Sequence, residues 1–289
     1  MDLPATLGSL RRGAGDPAFR YAGGAVWLTG RTPVGPATLL LRQSVPDEVS
    51  AVAWGGGADW MIDGVPGLLG AGDDPAGFRP QHPLLRAACR RHPGLRVPRC
   101  RRVLDVLVPA VLEQKVTGGE ARRSWRDLLR RFGEPAPGPG PAGLLVPPAA
   151  ATWARIPSWE WHRAGVDGHR SRAICAAAAV AGRLEESVAM PPAEAERRLR
   201  SVPGVGVWTA AEVAQRAFGD ADAVSVGDFH LAPFVGWALA GRAVDDDGML
   251  ELLAPYRPHR YRAIRLLELS GFRMPRFGPR YAPHDMRAC

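Results

Sequence analysis

The sequence is nearly devoid of lysine: of 37 basic residues in 289, only Lys115 is a lysine and the rest are arginines. Chemistry that needs a lysine Schiff base therefore has a single candidate nucleophile. The four cysteines are scattered and form no C-x-x-C pair, which argues against a zinc or iron–sulfur site. No apolar run approaches the ~20 residues of a membrane helix, and Met1–Pro4 does not resemble a signal peptide. We expect a cytoplasmic protein with no membrane partner.

The composition, 46% hydrophobic and 23% charged, is typical of a soluble globular protein with one large or two to three small domains. The net charge is +8. A phosphate-rich partner would favour such a charge. A GC-rich genome would also enrich arginine, so charge alone leaves nucleic acid as one of two explanations.

The hydrophobic pattern divides the chain into three segments. Residues 1–95 contain short apolar runs bounded by glycine and proline, which predict a small α+β domain with strands at Ala25–Leu28, Thr38–Arg42 and Val49–Trp54. Residues 96–271 have helical spacing, and residues 272–289 form a basic tail that we expect to be disordered. The helices are predicted near Gly119–Phe132, Thr152–Ile156, Arg170–Leu184, Pro192–Arg200, Val207–Phe218, Phe229–Leu239, Gly248–Leu253 and Tyr261–Leu269.

A hairpin motif, Val202-Pro203-Gly204-Val205-Gly206, lies within residues 199–210 between two predicted helices. Its glycines permit close approach of another molecule, and outward-facing amides at a helix N-terminus form a phosphate site. Its valines can anchor the turn in the core. The pattern is typical of a helix-hairpin-helix, which grips the DNA backbone without reading sequence. An ordinary helical connection with two glycines is the alternative interpretation.

The second motif is Asp228, in Val226-Gly227-Asp228, at the predicted start of the helix after the hairpin helices. Aspartate is a favoured N-cap, which is the simplest explanation for its presence. A catalytic role is compatible with capping because a cap fixes the direction of the carboxylate.

Together with Trp208-Thr209-Ala210, these motifs resemble the helix-hairpin-helix/Gly-Pro-Asp DNA glycosylases, and most of all the AlkA-type 3-methyladenine DNA glycosylases. The similarity covers about residues 92–271 and includes His92–Pro98, Leu112–Thr117 and Tyr256–Arg260. It implies an α+β fold, with a small N-terminal antiparallel β-sheet/helix domain followed by an all-helical, two-lobed glycosylase body.

The resemblance further implies a DNA glycosylase that acts in base excision repair on a damaged base, alkylated in this branch of the family. A nucleotide would be flipped out of double-stranded DNA, and Asp228 would stabilise the oxocarbenium character at C1′ and activate water. Trp208 occupies the position of the lysine used by lyase members, so we expect a monofunctional enzyme. The family implies a monomer without a cofactor, apart from a monovalent cation on the main chain of Arg200, Val202 and Val205.

Four positions depart from the family pattern. Lys115 stands where an apolar side chain usually enters the duplex, and Glu113 replaces a small residue just before it. Glu212 and Glu268 replace aromatic residues of the base pocket, which suggests a substrate other than simple alkylpurines. The expected pocket residues are Trp208, Glu212, Glu268 and Glu113. The expected DNA contacts are Gln114, Lys115, Val202, Gly204, Val205, Gly206 and Thr209.

Other interpretations of these residues stay open. Lys115 would also fit a solvated helix face, and Glu212 and Glu268 would also fit ion pairs with Arg216 and Arg265. A non-catalytic helix-hairpin-helix DNA-binding protein would share the hairpin and the charge but would not need Asp228. A regulator without a DNA partner is the third possibility.

Overall fold

The computed structural model describes residues 1–45 and 48–275. Its N-terminal part contains a four-stranded antiparallel sheet in the order β1-β2-β3-β4. Alternating apolar residues of the two central strands are buried, as a sheet covered on one face requires. Gly23 and Gly24 both have positive φ, so they form the tight turn that joins the first hairpin. The strands are β1 (Phe19–Ala22), β2 (Ala25–Thr32), β3 (Gly35–Val45) and β4 (Glu48–Trp54), and a small second sheet pairs β5 (Glu134–Pro135) with β6 (Leu145–Val146).

Helices make up most of the remaining structure. They are α1 (Leu3–Leu7), α2 (Ala58–Asp63), α3 (Val65–Leu68), α4 (Pro83–Arg91), α5 (Val103–Leu112), α6 (Gly118–Phe132), α7 (Ala150–Trp153), α8 (Ser158–Arg163), α9 (Gly168–Ala179), α10 (Ala181–Glu185), α11 (Pro192–Arg200), α12 (Val207–Val213), α13 (Leu231–Ala240), α14 (Asp246–Leu253) and α15 (Arg260–Leu269). A π-helical turn, Ala214–Phe218, continues α12 and ends at Gly219 in the left-handed conformation. The predicted α+β class, with a small sheet followed by a helical body, is confirmed.

The helical body is built around two hydrophobic cores. The first joins the sheet to α5, α6, α9 and α12, with α5 buried on all sides at its centre. The second consists of α13, α14 and α15 together with α4. Residues 83–91 of the predicted N-terminal domain therefore pack with the C-terminal helices, while the domain boundary at residue 95 stays a prediction.

Several predicted elements differ from the observed ones. The strand β1 and the helices α2 and α3 were not expected, because they span only four to six residues. The helix predicted over Arg170–Leu184 is divided at Val180 into α9 and α10. The helix expected from Phe229 begins at Leu231, and the Asp228 carboxylate accepts the His230 and Leu231 amides at its start. Most of the predicted tail, residues 276–289, lies outside the described part of the chain.

Candidate active site

The hairpin between α11 and α12 has the conformation that its sequence requires. Gly204 adopts a φ of +87°, and a Cβ built there would lie 2.6 Å from Cβ of Ala173 on α9. Both the backbone conformation and the packing thus demand glycine. Gly206 caps α12 and has open space around it. Val202 and Val205 are buried and hold the turn against the first core.

The turn between α5 and α6 lies directly beside the hairpin. Gln114 Nε2 donates hydrogen bonds to the Gly204 carbonyl at 2.9 Å and to Thr209 Oγ1 at 2.8 Å. The next residue, Lys115, is exposed and has a φ of +54°, which is rare for a side-chain-bearing residue. The structure therefore brings two of the predicted DNA-binding segments, 114–115 and 202–206, onto one surface.

Asp228 is held by three hydrogen bonds. Its Oδ1 accepts the amides of His230 and Leu231 at 2.8 and 3.0 Å, and its Oδ2 accepts Trp208 Nε1 at 2.9 Å. The carboxylate caps α13 and is also fastened to the first turn of α12, just after the hairpin. The three hydrogen bonds fix the direction of the carboxylate, as expected of a capping aspartate.

Asp228 lines a cavity of about 450 Å³ between the two cores, a size typical of small-molecule pockets. Its walls are formed by α12, the π-helical turn that follows it, the loop that precedes α13, α13 itself and α15. The lining is Glu212, Gln215, Arg216, Ser225, Asp228, His230, Leu231, Phe234, Tyr261, Ile264, Arg265, Glu268 and Met274.

Glu212 belongs to a buried polar network within this wall. Its Oε1 accepts the Ser225 hydroxyl at 2.6 Å, and its Oε2 pairs with Arg216 Nη1 at 2.8 Å. Gln215 Nε2 donates to Ser225 Oγ at 2.9 Å and to the Ala223 carbonyl at 3.1 Å. The network ties the loop that carries Asp228 to α12. Burial acts to lower the pKa of Arg216, but the combined influence of Glu212, Tyr261, Glu113 and Glu268 outweighs it and the pKa is raised.

Glu268 also lines the cavity, where it forms an ion pair with Arg265. Both glutamates singled out in the sequence thus reach the cavity, and both are paired with the arginines considered as alternatives. Tyr261, in the same wall, is only 4% exposed. Burial raises the pKa of its hydroxyl against the lowering influence of Arg216 and Arg265, so the phenol is protonated at neutral pH.

Three predicted residues take other positions. Glu113 is absent from the cavity lining, and its carboxylate instead lies 3.2 Å from Arg12 Nη1, so its assignment to the pocket is wrong. Thr209 is 2% exposed and its hydroxyl accepts Gln114, so its side chain supports the hairpin and is not placed to contact DNA. Trp208 does not line the cavity either, but it reaches the site through its bond to Asp228.

The cavity also contains residues that sequence reasoning missed, namely Gln215, Ser225 and Tyr261. Gln215 lies three residues after Glu212, and that spacing could have placed the two side chains on one helical face. Ser225 and Tyr261 carry no comparable signal, since only the folded chain brings them to α12.

The N-terminal sheet and the two-core helical body have the fold of solved DNA glycosylases. A 3-methyladenine DNA glycosylase from Archaeoglobus fulgidus superposes with a TM-score of 0.75 over 93% of this chain and 94% of its own, at 14% identity. An 8-oxoguanine glycosylase/lyase from Clostridium acetobutylicum, solved with double-stranded DNA, has a TM-score of 0.71 over 93% and 91%, at 11% identity. The expected resemblance is therefore confirmed for the fold.

Sequence comparison finds a relative in Mycobacterium tuberculosis, named "Probable bifunctional transcriptional activator/DNA repair enzyme AlkA", that is 33% identical over 153 residues. The match covers 52% of this chain and 30% of the relative, so this chain corresponds to less than a third of that protein. No protein-family model matches the chain.

Two other properties of the described residues bear on ligands. Within residues 1–45 and 48–275, no three His, Cys, Asp or Glu side chains cluster as metal ligands would. None of the helices described combines the length and hydropathy needed to cross a bilayer.

Proposed function

We propose that the protein is a monofunctional DNA glycosylase that hydrolyses the N-glycosidic bond of a damaged base in duplex DNA. The observation that carries the proposal is the fixed carboxylate of Asp228 at a base-sized cavity, one helical turn from a hairpin suited to the DNA backbone. The protein would act as a monomer on chromosomal DNA, within base excision repair.

Asp228 would perform the central chemical task. As the base departs with the bonding electrons, C1′ of the sugar gains positive charge. A preoriented carboxylate stabilises this charged transition state more than it stabilises the ground state. The two amides on Oδ1 and the indole on Oδ2 hold the group without a need for reorganisation. The same carboxylate can orient the water molecule that adds to C1′. The reaction as proposed uses no cofactor.

Trp208 supports hydrolysis over lyase chemistry. The residue that faces Asp228 from the hairpin helix bears an indole, which cannot form a Schiff base. Lys115, the chain's sole lysine, lies in the turn after α5 and does not line the cavity. Cleavage should therefore leave an intact abasic site.

The proposed DNA surface consists of the hairpin with the adjoining turn at Gln114 and Lys115. The outward amides of the hairpin would bind a phosphate, and the exposed Lys115 would enter the duplex or contact its backbone. The main-chain carbonyls of Arg200, Val202 and Val205 would hold the expected monovalent cation. The Val202 carbonyl already accepts the Val205 amide at 3.0 Å and would bind the cation through its other lone pair.

Incubation with duplexes that each carry one damaged base, followed by alkali, tests the proposal. We expect strand breaks at the lesion only after alkali, because a monofunctional enzyme leaves the backbone intact. Binding of duplex DNA without base release from any lesion would instead favour a non-catalytic DNA-binding protein.

A further inference from the structure

Ser225 joins the loop that carries Asp228 to α12 through both its side chain and its backbone. Its hydroxyl donates to Glu212 Oε1 at 2.6 Å and accepts Gln215 Nε2 at 2.9 Å. Its carbonyl oxygen accepts the Asp228 amide at 3.3 Å, which closes a four-residue turn. One buried residue is therefore fixed to the helix on one side and to the backbone of Asp228 on the other.

The turn from Ser225 to Asp228 has little freedom of its own. Gly227, at its third position, has a φ of +87°, the left-handed conformation that a type II turn requires there. The Gly227 amide also donates to Asp246 Oδ2 at 3.0 Å, so the first residue of α14 holds the turn from a second direction. A shift of Ser225 is therefore passed on to Asp228 and is not absorbed between them.

The acceptor of the Ser225 hydroxyl is itself held in place. Glu212 Oε2 pairs with Arg216 Nη1 at 2.8 Å. Arg216 is fixed in turn by the Ser9 carbonyl, which accepts its Nε at 2.9 Å, and by Gln215 Oε1, which accepts its Nη1 at 3.1 Å. Glu212, Gln215 and Ser225 are each at most 9% exposed, so water competes little with these hydrogen bonds. The network is a rigid support for the loop.

We propose that Ser225 is a positioning residue for base release: its bonds to Glu212 and Gln215 set the place of the Asp228 carboxylate relative to C1′ of the flipped nucleotide. This inference rests on the proposed glycosylase function. Trp208 Nε1 holds the carboxylate directly at Oδ2, whereas Ser225 acts on it through the backbone. Because stabilisation of charge at C1′ depends on distance and orientation, a displaced carboxylate slows base release without a matching loss of DNA affinity.

The test compares wild type with Ser225→Ala in single-turnover reactions on duplexes containing 7-methylguanine, hypoxanthine or 8-oxoguanine, below the melting temperature of both proteins. For each lesion that the wild type removes, release should slow by about tenfold or more, with duplex affinity within about twofold of wild type. Adding Ser225→Ala to Asp228→Asn should slow release little further, because Ser225 acts only through the charge of Asp228. An independent structural effect would instead multiply the two losses.

Ser270→Ala is the matched control. Ser270 is also buried, and its hydroxyl donates to the Leu267 carbonyl at 2.6 Å and accepts the Phe272 amide at 3.0 Å, but it does not line the cavity. Its loss should lower the melting temperature to a similar degree and leave base release unchanged. Wild-type release by Ser225→Ala, an equal loss in Ser270→Ala, or multiplied losses in the double variant would overturn the inference and, if Asp228→Asn is impaired, leave the proposed function standing. Release of no base from any duplex by the wild type would overturn both.

Discussion

Replacing Gly204 with alanine should destabilise the protein and weaken its binding to DNA. A side-chain-bearing residue in the left-handed region costs roughly 1–2 kcal/mol. The new methyl group would lie 2.6 Å from Cβ of Ala173, so α9 and the hairpin must separate, at an overpacking cost of about 1–3 kcal/mol. Restriction of the unfolded chain returns roughly 0.4–1 kcal/mol. The net loss is about 1–5 kcal/mol, or on the order of 2–8 °C in melting temperature for a chain of this length.

Gly206→Ala is the control, because its φ is −93° and nothing lies within 4 Å of the added Cβ. We expect its melting temperature to match or slightly exceed that of the wild type. Its affinity for duplex DNA should nevertheless fall, since the methyl group would occupy the space through which a phosphate approaches the hairpin amides. Calorimetry and fluorescence anisotropy on both variants provide the two readouts.

Two results would refute this reasoning. Wild-type thermal stability in Gly204→Ala would show that the hairpin does not need glycine for its conformation or its packing. Wild-type affinity in Gly206→Ala would show that DNA does not approach this side of the turn.

Three further predictions concern the chain around the site. Phe229 follows Asp228 and is 85% exposed, so Phe229→Ala should weaken DNA binding. Trp159 is 66% exposed at another place on the surface, and Trp159→Ala should leave binding unchanged. Equal effects of the two substitutions would contradict a specific contact at Phe229. Borohydride added during the reaction should trap no covalent protein–DNA adduct, and an adduct lost in Lys115→Arg would show lyase chemistry. Burial raises the pKa of Glu185 to about 7. Between pH 5 and 7 the folded state retains this proton and the unfolded state releases it. The free energy of unfolding should therefore fall by up to about 3 kcal/mol over that range, as measured by denaturant melts. Glu185→Gln should flatten this decline.

The hairpin and Asp228 could be located from the sequence because their chemistry is local. Glycine spacing between two helical segments predicts the turn, and an aspartate before an apolar helical run predicts the cap. The short apolar runs before residue 95 and the helical spacing after it predicted a small α+β unit followed by helices in the same way.

The rest of the site depends on contacts between distant segments. Glu113 pairs with Arg12, which is 101 residues away in the sequence. The sequence around either residue does not predict that partner. The role of Glu212 as an anchor for the Asp228 loop depends on Ser225, and Tyr261 reaches the cavity wall only because the fold brings α15 to α12. Helix α4 likewise joins the C-terminal helices through tertiary packing alone.

The most direct test of the central claim is base release by Asp228→Asn compared with wild type on a duplex whose lesion the wild type removes. The variant side chain can still cap α13 through its oxygen but cannot supply the negative charge. We predict that release falls by at least ~100-fold while duplex affinity stays within about twofold of wild type. Release at the wild-type rate, with binding intact, would contradict the role assigned to Asp228.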